Sequence, residues 1–419
     1  MSSPPKTQVL RRRVFYIPGY DPIHPRRYRE LYRTEGRDQA QISGYSLDLR
    51  ARKTESGGFG WHVAADVGGV TTQTDVDVLV WSDIVRTSMD ASILGTYAQL
   101  IRTAWVYIST GALFRLMRLR KGPVIAALYP VGMLLLQLVL AVVAGWLAYS
   151  VLVWAFGFVR ADSLAGLPVL HKISGWGVAI VVGLRVLQWF KSKDGKLYAY
   201  YLMHDYAFSA ATYGKNPPEL EGRIKEFTNF ISEALRGPYD EVLVVGHSSG
   251  AHLGVSILAD LIRTRPPEKD APALGFLSLG QVVPMVSFLP HAERLRADLQ
   301  FLSQSDALTW VDVTAPGDGC AFALCDPVAV SGVAPANKRW PLVFSAAFTQ
   351  TLSRKKWNSL KRRFFRLHFQ YLCAFDRPKD YDYFLITAGP ITLQERYAGR
   401  PASKSRIEHA VSKYRSVVS

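Results

Sequence analysis

The sequence has few cysteines, which excludes a disulfide-stabilised protein, and relatively few acidic residues, which leaves a strong positive charge. Three cysteines in 419 residues cannot form a framework of disulfides. Cys320 and Cys325 lack a second pair or a histidine at zinc spacing, so we interpret both as small core or loop residues and expect no metal and no cofactor. The 34 acidic residues face 50 basic ones, which gives a net charge of +16. Because no nucleic-acid motif accompanies this charge, it favours membrane lipids over nucleic acid as the partner.

Charged residues are also absent from a long central stretch of the chain. Residues 122–159 contain no Asp, Glu, Lys, Arg or His, and Met133–Val159 is dominated by Leu, Val, Ala and Trp. This stretch exceeds the ~20 residues needed to cross the hydrocarbon core of a bilayer. A shorter apolar stretch, Ile173–Phe190, carries Arg185, which can snorkel toward the nearby boundary. We predict a transmembrane hairpin. The alternatives are two buried core helices or, for the second stretch, a re-entrant or interfacial helix.

Basic residues flank the hairpin and predict its orientation. They lie before the first span and after the second: Arg115, Arg118, Arg120, Lys121, Lys191, Lys193 and Lys196. The link between the spans carries fewer positive charges, and Asp162 partly offsets them. The positive-inside rule then places the chain on either side of the two spans in the cytoplasm. No apolar stretch of signal-peptide length follows the first 13 residues, so we expect no cleaved signal and a reducing compartment.

A glycine-flanked serine is the most informative motif in the chain, and it reads Gly246-His247-Ser248-Ser249-Gly250. The apolar run Glu241–Val245 before it is typical of a strand buried on both faces, and Ala251–Arg263 after it has helical spacing. A serine on such a sharp turn has strained backbone geometry, so the residues two positions away must lack bulk. The motif therefore predicts Ser248 as a nucleophile. Ser249 is the rival within the motif, and a plain turn is the non-catalytic interpretation.

This strand, turn and helix around Gly-x-Ser-x-Gly resemble the α/β-hydrolase superfamily. The resemblance covers most of the chain outside the hairpin. It implies an α/β fold whose mostly parallel sheet is flanked by helices and interrupted by the two-helix transmembrane insertion. The expected divisions are an N-terminal part of the hydrolase domain (1–121), the insertion (122–190) and a C-terminal part with the catalytic triad (191–419). The resemblance also implies the chain order serine, acid, histidine.

The acid of such a triad is expected after a later strand, which we predict at Leu308–Thr314. Asp318 follows this strand and stands between two glycines that let the backbone bend around it. Asp312 lies inside the strand pattern, and Asp326 lies further along the chain. We favour Asp318, with the other two as alternatives. A turn aspartate that bonds its own backbone is the structural interpretation of Asp318.

The base should follow the acid, and only His368 and His409 lie beyond Asp318. His368 lies in an aromatic segment that could hold an imidazole against the edge of the sheet, whereas His409 lies in a polar, charged tail. We therefore expect His368 to take the proton of Ser248 and Asp318 to fix its tautomer. A packed structural histidine is the alternative role for His368.

The resemblance further implies an oxyanion hole built from two backbone N–H groups. One belongs to the residue after the nucleophile, Ser249, and the other to a loop after an early strand. The short strand Val14–Ile17 is followed by Pro18-Gly19-Tyr20, where the family often has a His-Gly pair. Gly19 permits close approach of the backbone, and the Tyr20 N–H is the candidate second donor. Each donor would stabilise the transition state by ~3 kcal/mol.

A basic segment, residues 354–366, precedes the predicted base. Its cations are Arg354, Lys355, Lys356, Lys361, Arg362, Arg363 and Arg366. They alternate with aromatic and aliphatic residues. One interpretation is a solvated basic face, and the other is contact with the anionic headgroups of a membrane.

These features predict a membrane-anchored serine hydrolase. It would cleave a carboxylic ester, either a small molecule or a lipid, through a Ser-His-Asp triad and an acyl-enzyme. The same triad could instead cleave a thioester or an amide, or transfer the acyl group to an alcohol. A catalytically inactive membrane scaffold with the α/β-hydrolase fold is one alternative. A basic membrane protein that binds nucleic acid is another.

Overall fold

The computed structural model describes residues 8–53, 59–89, 92–157, 167–264 and 271–418. The chain forms two compact units. Unit 1 consists of Met1–Thr87, Val106–Val124 and Thr212–Ser419, and unit 2 consists of Ser88–Trp105 and Ile125–Ala211. Most of the predicted hairpin, from Ile125 onward, therefore falls in unit 2, and the predicted nucleophile, acid and base all fall in unit 1.

Unit 1 is built on one eight-stranded sheet. The strands are β1 (Arg11–Ile17), β2 (Ser46–Lys53), β3 (Phe59–Val67), β4 (Val70–Val78), β5 (Glu241–His247), β6 (Ala273–Leu279), β7 (Thr309–Thr314) and β8 (Leu342–Ser345). Their order across the sheet is β2-β3-β4-β1-β5-β6-β7-β8. The strands predicted at Val14–Ile17, before Ser248 and before Asp318 are all present, and the first begins earlier, at Arg11.

Helices connect and flank these strands. They are α1 (Arg26–Ser43), α2 (Ser82–Met89), α3 (Ile93–Ser109), α4 (Ala112–Leu119), α5 (Lys121–Gly157), α6 (Leu167–Ser192), α7 (Asp194–Leu197), α8 (Ala199–Ala210), α9 (Pro218–Ala234), α10 (Gly250–Thr264), α11 (Val283–Ser287), α12 (Glu293–Gln304), α13 (Pro327–Val330), α14 (Phe348–Thr351), α15 (Arg354–Leu360), α16 (Phe364–His368), α17 (Tyr383–Ala388) and α18 (Leu393–Arg396). A 3₁₀ helix, Phe369–Leu372, follows α16. The predicted α/β class is therefore correct.

The sheet is mixed, which corrects the prediction of a mostly parallel sheet. β1 pairs in parallel with β4 and β5, and the pairing continues in parallel through β6, β7 and β8. β3 is antiparallel to both β2 and β4. The reason is the connection between β3 and β4, a two-residue turn at Gly68 and Gly69 with φ of 62° and 83°. Such a turn reverses the chain directly, whereas parallel neighbours need a long crossover.

The alternating side chains of the central strands form a core on each face of the sheet. Val14 and Tyr16 of β1 belong to an apolar cluster with residues of α1 and α17 on one face. On the other face, α10 lies so close that a Cβ added at Gly254 would come within 2.7 Å of the Phe276 ring. Strand β5 is fully buried, as expected for a strand covered on both sides. Because β5 is packed on both faces, the loop that follows it starts from a rigid strand.

Unit 2 contains two long apolar helices, α6 and the part of α5 from Ile125 onward. Both are long and apolar enough to cross a membrane, over Lys121–Ala155 and Ile173–Ser192. Within an 18-residue apolar window of each span, only 22% and 17% of the residues are buried. The helices approach each other through small residues. A Cβ added at Gly145 would lie 2.6 Å from the Ala179 carbonyl oxygen, and one added at Gly183 would lie 3.3 Å from that of Ala141. Small residues at such crossings are typical of helices that associate in lipid.

Candidate active site

Ser248 lies on a tight turn between the buried strand β5 and helix α10. Its φ of 55° is in the left-handed region, which costs a residue with a side chain of order 1 kcal/mol or more. A Cβ added at Gly246 would lie 2.7 Å from the Gly250 carbonyl oxygen, and one added at Gly250 would lie 2.1 Å from that of Ile17. Both glycines are therefore required by close backbone packing, as the spacing of the motif predicts. The turn leaves Ser248 partly exposed while its neighbours are buried.

The loop after β1 lies directly against this serine. A Cβ added at Gly19 would be 3.0 Å from Ser248 Cβ and 3.4 Å from its Oγ. The Trp81 indole Nε1 donates a hydrogen bond of 3.0 Å to the Pro18 carbonyl oxygen, which fixes the loop at this position. Nothing in the sequence around Trp81 predicts this role. The backbone next to Ser248 is thus held by a buried side chain of a different loop.

The two predicted oxyanion residues, Ser249 and Tyr20, are both buried beside the serine turn. Ser249 immediately precedes α10, and the N–H groups at the start of a helix have no acceptor within it. Tyr20 follows Gly19, and its ring packs edge-on against Trp81 with 6.0 Å between centroids. The positive end of the α10 dipole also points toward Ser248.

Asp318 and His368 form a buried pair, although 50 positions separate them in the chain. His368 Nδ1 lies 2.7 Å from Asp318 Oδ2. Because a carboxylate oxygen accepts, Nδ1 carries a proton, and a neutral imidazole in this tautomer has its lone pair on Nε2. Within the described part of the chain, Nε2 is buried and has no hydrogen-bond partner. A buried, unpaired imidazole nitrogen is costly in a core and useful in a base.

Two further donors hold the Asp318 carboxylate. Tyr371 Oη donates to Oδ2 over 3.0 Å, and the Cys320 N–H donates to Oδ1 over 2.9 Å. Burial raises the pKa of Asp318, but the attraction of His368 and the hydrogen bonds from His368, Cys320 and Tyr371 outweigh it, so the pKa lies below its usual value. Asp318 is therefore an anion that orients the imidazole. Tyr371 was not predicted, although it lies in the aromatic segment that suggested His368.

Two sets of contacts show that His368 and Ser248 lie in the same region. The Ser248 N–H donates to the Leu279 carbonyl oxygen over 2.9 Å. At the next residue, a Cβ added at Gly280 would lie 3.1 Å from His368 Cε1. His247 provides the second set, because its Nε2 lies 3.0 Å from the His368 carbonyl oxygen and the two rings are 4.8 Å apart. The structure thus brings the predicted nucleophile, acid and base into one region.

His247 has a supporting role in this arrangement. Burial lowers its pKa to about 3, and the neighbouring His368 contributes in the same direction. His247 is therefore neutral, and because a carbonyl oxygen accepts, its Nε2 carries the proton that binds the His368 backbone. A neutral residue at this position adds no positive charge beside the candidate base.

The alternative acids have other partners. Asp312 accepts a hydrogen bond of 2.6 Å from Ser278 Oγ inside the sheet, and burial raises its pKa to about 8. Asp326 caps α13 by accepting from the N–H groups of Val328 and Ala329, and it pairs with Lys338. His409, the alternative base, is exposed. Neither aspartate is bonded to His368 within the described residues.

Cys320 lies closer to this site than its sequence context suggests. The ligand atoms of Asp318, Cys320 and His368 are within 4.8 Å of one another, and such a set could hold a metal ion. Both Asp318 oxygens already accept hydrogen bonds, one of them from His368 Nδ1. A metal ion bound by all three residues would have to break the hydrogen bond between His368 Nδ1 and Asp318 and bind the imidazole itself. The geometry therefore fits a histidine-carboxylate pair better than a metal centre.

The buried His252 of α10 predicts how stability depends on pH. Burial lowers its pKa to about 4, whereas the unfolded chain has the usual value of 6.5. The unfolded state therefore binds the proton first, so this contribution to stability is complete above pH 6.5 and decreases as the pH falls toward 4. We expect His252→Leu to lose less thermal stability than the wild type between about pH 7.5 and pH 5. Thermal unfolding at both pH values measures this, with His409→Leu as the exposed control. An identical loss in all three proteins would contradict the assignment.

Comparisons with known proteins give no relative for this chain: no family model, no curated protein and no solved structure matches it.

Proposed function

We propose that this protein is a membrane-anchored serine hydrolase with an α/β-hydrolase-like fold, which cleaves a carboxylic ester through Ser248, His368 and Asp318. The observation that carries the proposal is the buried hydrogen bond between His368 Nδ1 and Asp318 Oδ2. It leaves His368 Nε2 without a hydrogen-bond partner in the described chain, in the same region as Ser248, whose φ is positive. A structural histidine would gain from a partner for Nε2, whereas a general base needs that nitrogen unoccupied.

The placement of these residues along the sheet supports the same proposal. Ser248 follows β5, Gly19 follows β1 and Asp318 follows β7, so all three lie after the carboxyl ends of strands that run in the same direction. Open α/β sheets bind ligands outside the carboxyl ends of their strands. The chain order serine, aspartate, histidine is also that of the α/β-hydrolase triad.

The chemistry proceeds in two acyl transfers. Ser248 Oγ attacks the ester carbonyl carbon as His368 Nε2 takes the hydroxyl proton. The oxyanion that forms would accept hydrogen bonds from the Ser249 and Tyr20 N–H groups. His368 then gives the proton to the leaving alcohol, and the acyl group remains on Ser248. Water attacks this acyl-enzyme with His368 again as base, which releases the carboxylic acid and restores Ser248.

The membrane anchor in this proposal is the pair α5 and α6. Large apolar side chains on α5 are exposed, among them Trp146 at 61% and Trp154 at 68%, and on α6 Trp176 is exposed at 60%. An exposed apolar surface of this extent on a soluble protein would drive aggregation, whereas lipid would cover it. The basic flanks of the two helices favour a cytoplasmic location for unit 1.

Covalent labelling with a fluorophosphonate tests the catalytic part. Full-length protein in detergent is treated with the probe, digested and analysed by mass spectrometry. We expect one adduct on Ser248 and none on Ser249, because the strained turn and the base activate only the central serine. An adduct on Ser249 would show that Ser249, and not Ser248, is the nucleophile. Folded protein that takes up no probe would favour the inactive scaffold instead.

A further inference from the structure

The basic segment, residues 354–366, presents a row of cations to solvent. Six of its basic side chains are exposed: Arg354, Lys355, Lys361, Arg362, Arg363 and Arg366. Among the described residues none of these six is within ion-pair distance of a carboxylate. The seventh cation, Lys356, differs because it is only partly exposed and lies 3.9 Å from Asp376. So many unpaired positive charges in one short stretch repel one another unless an anionic surface compensates them.

An exposed aromatic ring lies among these cations. Phe364 has 51% of its surface exposed and follows directly after three exposed basic residues. Part of its ring covers the loop that carries the candidate acid: a Cβ added at Gly319 would lie 3.0 Å from Phe364 Cδ1. Trp357 covers the same loop at Gly317, where an added Cβ would lie 2.7 Å from the indole. The basic segment therefore forms one wall of the Asp318 loop.

The first turn of the apolar helix α5 reaches the same loop. Gly122 belongs to unit 1, and a Cβ added there would lie 3.3 Å from the Gly319 carbonyl oxygen. Lys121, the first residue of α5, is exposed. Lys121 is the last charged residue before the uncharged stretch 122–159, and basic residues mark the boundary of a membrane span. Gly122 and the Gly319 loop beside it would therefore lie near the level of the headgroups. Phe364 packs on that same loop.

We propose that the basic segment docks on anionic phospholipid headgroups, with Phe364 inserted among them, so that the Asp318 loop lies on the bilayer surface. Cations flanking an exposed aromatic ring are the composition of an interfacial membrane contact. Nucleic acid would compensate the charge equally well, but it would not account for the contact of this loop with the start of an apolar helix. The consequence for substrate rests on the proposed function: the ester would be taken from the lipid phase.

Hydrogen exchange of the full-length protein in lipid nanodiscs tests this docking. Amide exchange of residues 354–366 is compared between discs of phosphatidylcholine and discs that also contain phosphatidylserine. We expect the anionic lipid to slow exchange in this segment roughly threefold or more, and high salt to remove the difference, because screening weakens contacts at the surface.

Two variants, each with four positive charges removed, are compared in the same assay. K361Q/R362Q/R363Q/R366Q should lose the protection, and the control K215Q/K225Q/R236Q/K404Q, drawn from exposed basic residues elsewhere in unit 1, should keep it.

The outcomes separate this inference from the proposed function. If Ser248 takes the fluorophosphonate but phosphatidylserine leaves the segment unprotected, the docking is wrong and the hydrolase stands. If phosphatidylserine protects the segment but Ser248 takes no probe, the docking stands without catalysis. Protection by an added oligonucleotide, and not by phosphatidylserine, would overturn the assignment to lipid. Loss of protection in both quadruple variants would show a general charge effect and would also overturn it.

Discussion

His368→Ala is expected to lower the turnover of an activated ester by about 10⁴- to 10⁶-fold. In the proposed triad the unpartnered His368 Nε2 takes the Ser248 proton, and without it the hydroxyl would attack at its own, very low, nucleophilicity. Hydrolysis of a p-nitrophenyl ester by the detergent-solubilised protein measures the change. The rate of labelling by a fluorophosphonate should decrease in parallel, since both reactions need the activated serine.

Two matched variants make this prediction specific. His409→Ala removes the other histidine beyond Asp318, and because His409 is exposed we expect its activity to stay within about twofold of the wild type. His368→Gln keeps a polar side chain of similar length and should be as inactive as His368→Ala while unfolding at nearly the wild-type temperature. If His368→Ala were labelled as fast as the wild type, the base would lie elsewhere and the proposed triad would fail.

Gly250→Ala is expected to destabilise unit 1 by about 3 kcal/mol or more. The added Cβ would lie 2.1 Å from the Ile17 carbonyl oxygen and 2.7 Å from that of Pro18, and these are backbone atoms that cannot rotate away. Either α10 or the loop that carries Gly19 must move. We therefore expect a lower unfolding temperature, by roughly 6–10 °C, together with loss of labelling at Ser248.

Gly222→Ala is the control for this substitution. Gly222 lies within α9, and a Cβ added there would meet no atom within 4 Å. Because alanine favours the helix over glycine, this variant should be up to about 1 kcal/mol more stable than the wild type. Unfolding followed by tryptophan fluorescence at one fixed scan rate compares the three proteins. Equal unfolding temperatures for both variants would contradict the close packing of the serine turn.

The local elements around Ser248 could be predicted because the sequence specifies them over short distances. The run Glu241–Val245 has the composition of a buried strand, and two glycines at fixed spacing permit the sharp turn that follows. Asp318 was favoured over Asp312 and Asp326 for a similar local reason, since only Asp318 stands in a glycine-flanked loop. The structure gives Asp318 the hydrogen bond to His368 that this preference requires.

The supporting residues could not be predicted, because their roles depend on contacts distant in the chain. Trp81 fixes the loop before Gly19 through the Pro18 carbonyl oxygen, 63 positions away. Tyr371 donates to Asp318 from 53 positions away. Nothing in the neighbourhood of either residue in the sequence distinguishes it from an ordinary core aromatic. The antiparallel position of β3 was not predicted, although the Gly68-Gly69 turn that produces it is a local feature.

Local composition and spacing are enough to predict the α/β class, the turn that presents Ser248 and the two apolar helices. The hydrogen bond between Asp318 and His368, the further donors to that carboxylate, and the meeting of the basic segment with the first turn of α5 at Gly319 are visible only in the folded chain. The physical reason is the range of the interactions. Strand, turn and apolar helix are set by residues a few positions apart, whereas a buried hydrogen bond across 50 positions forms only after the sheet has aligned the ends of its strands.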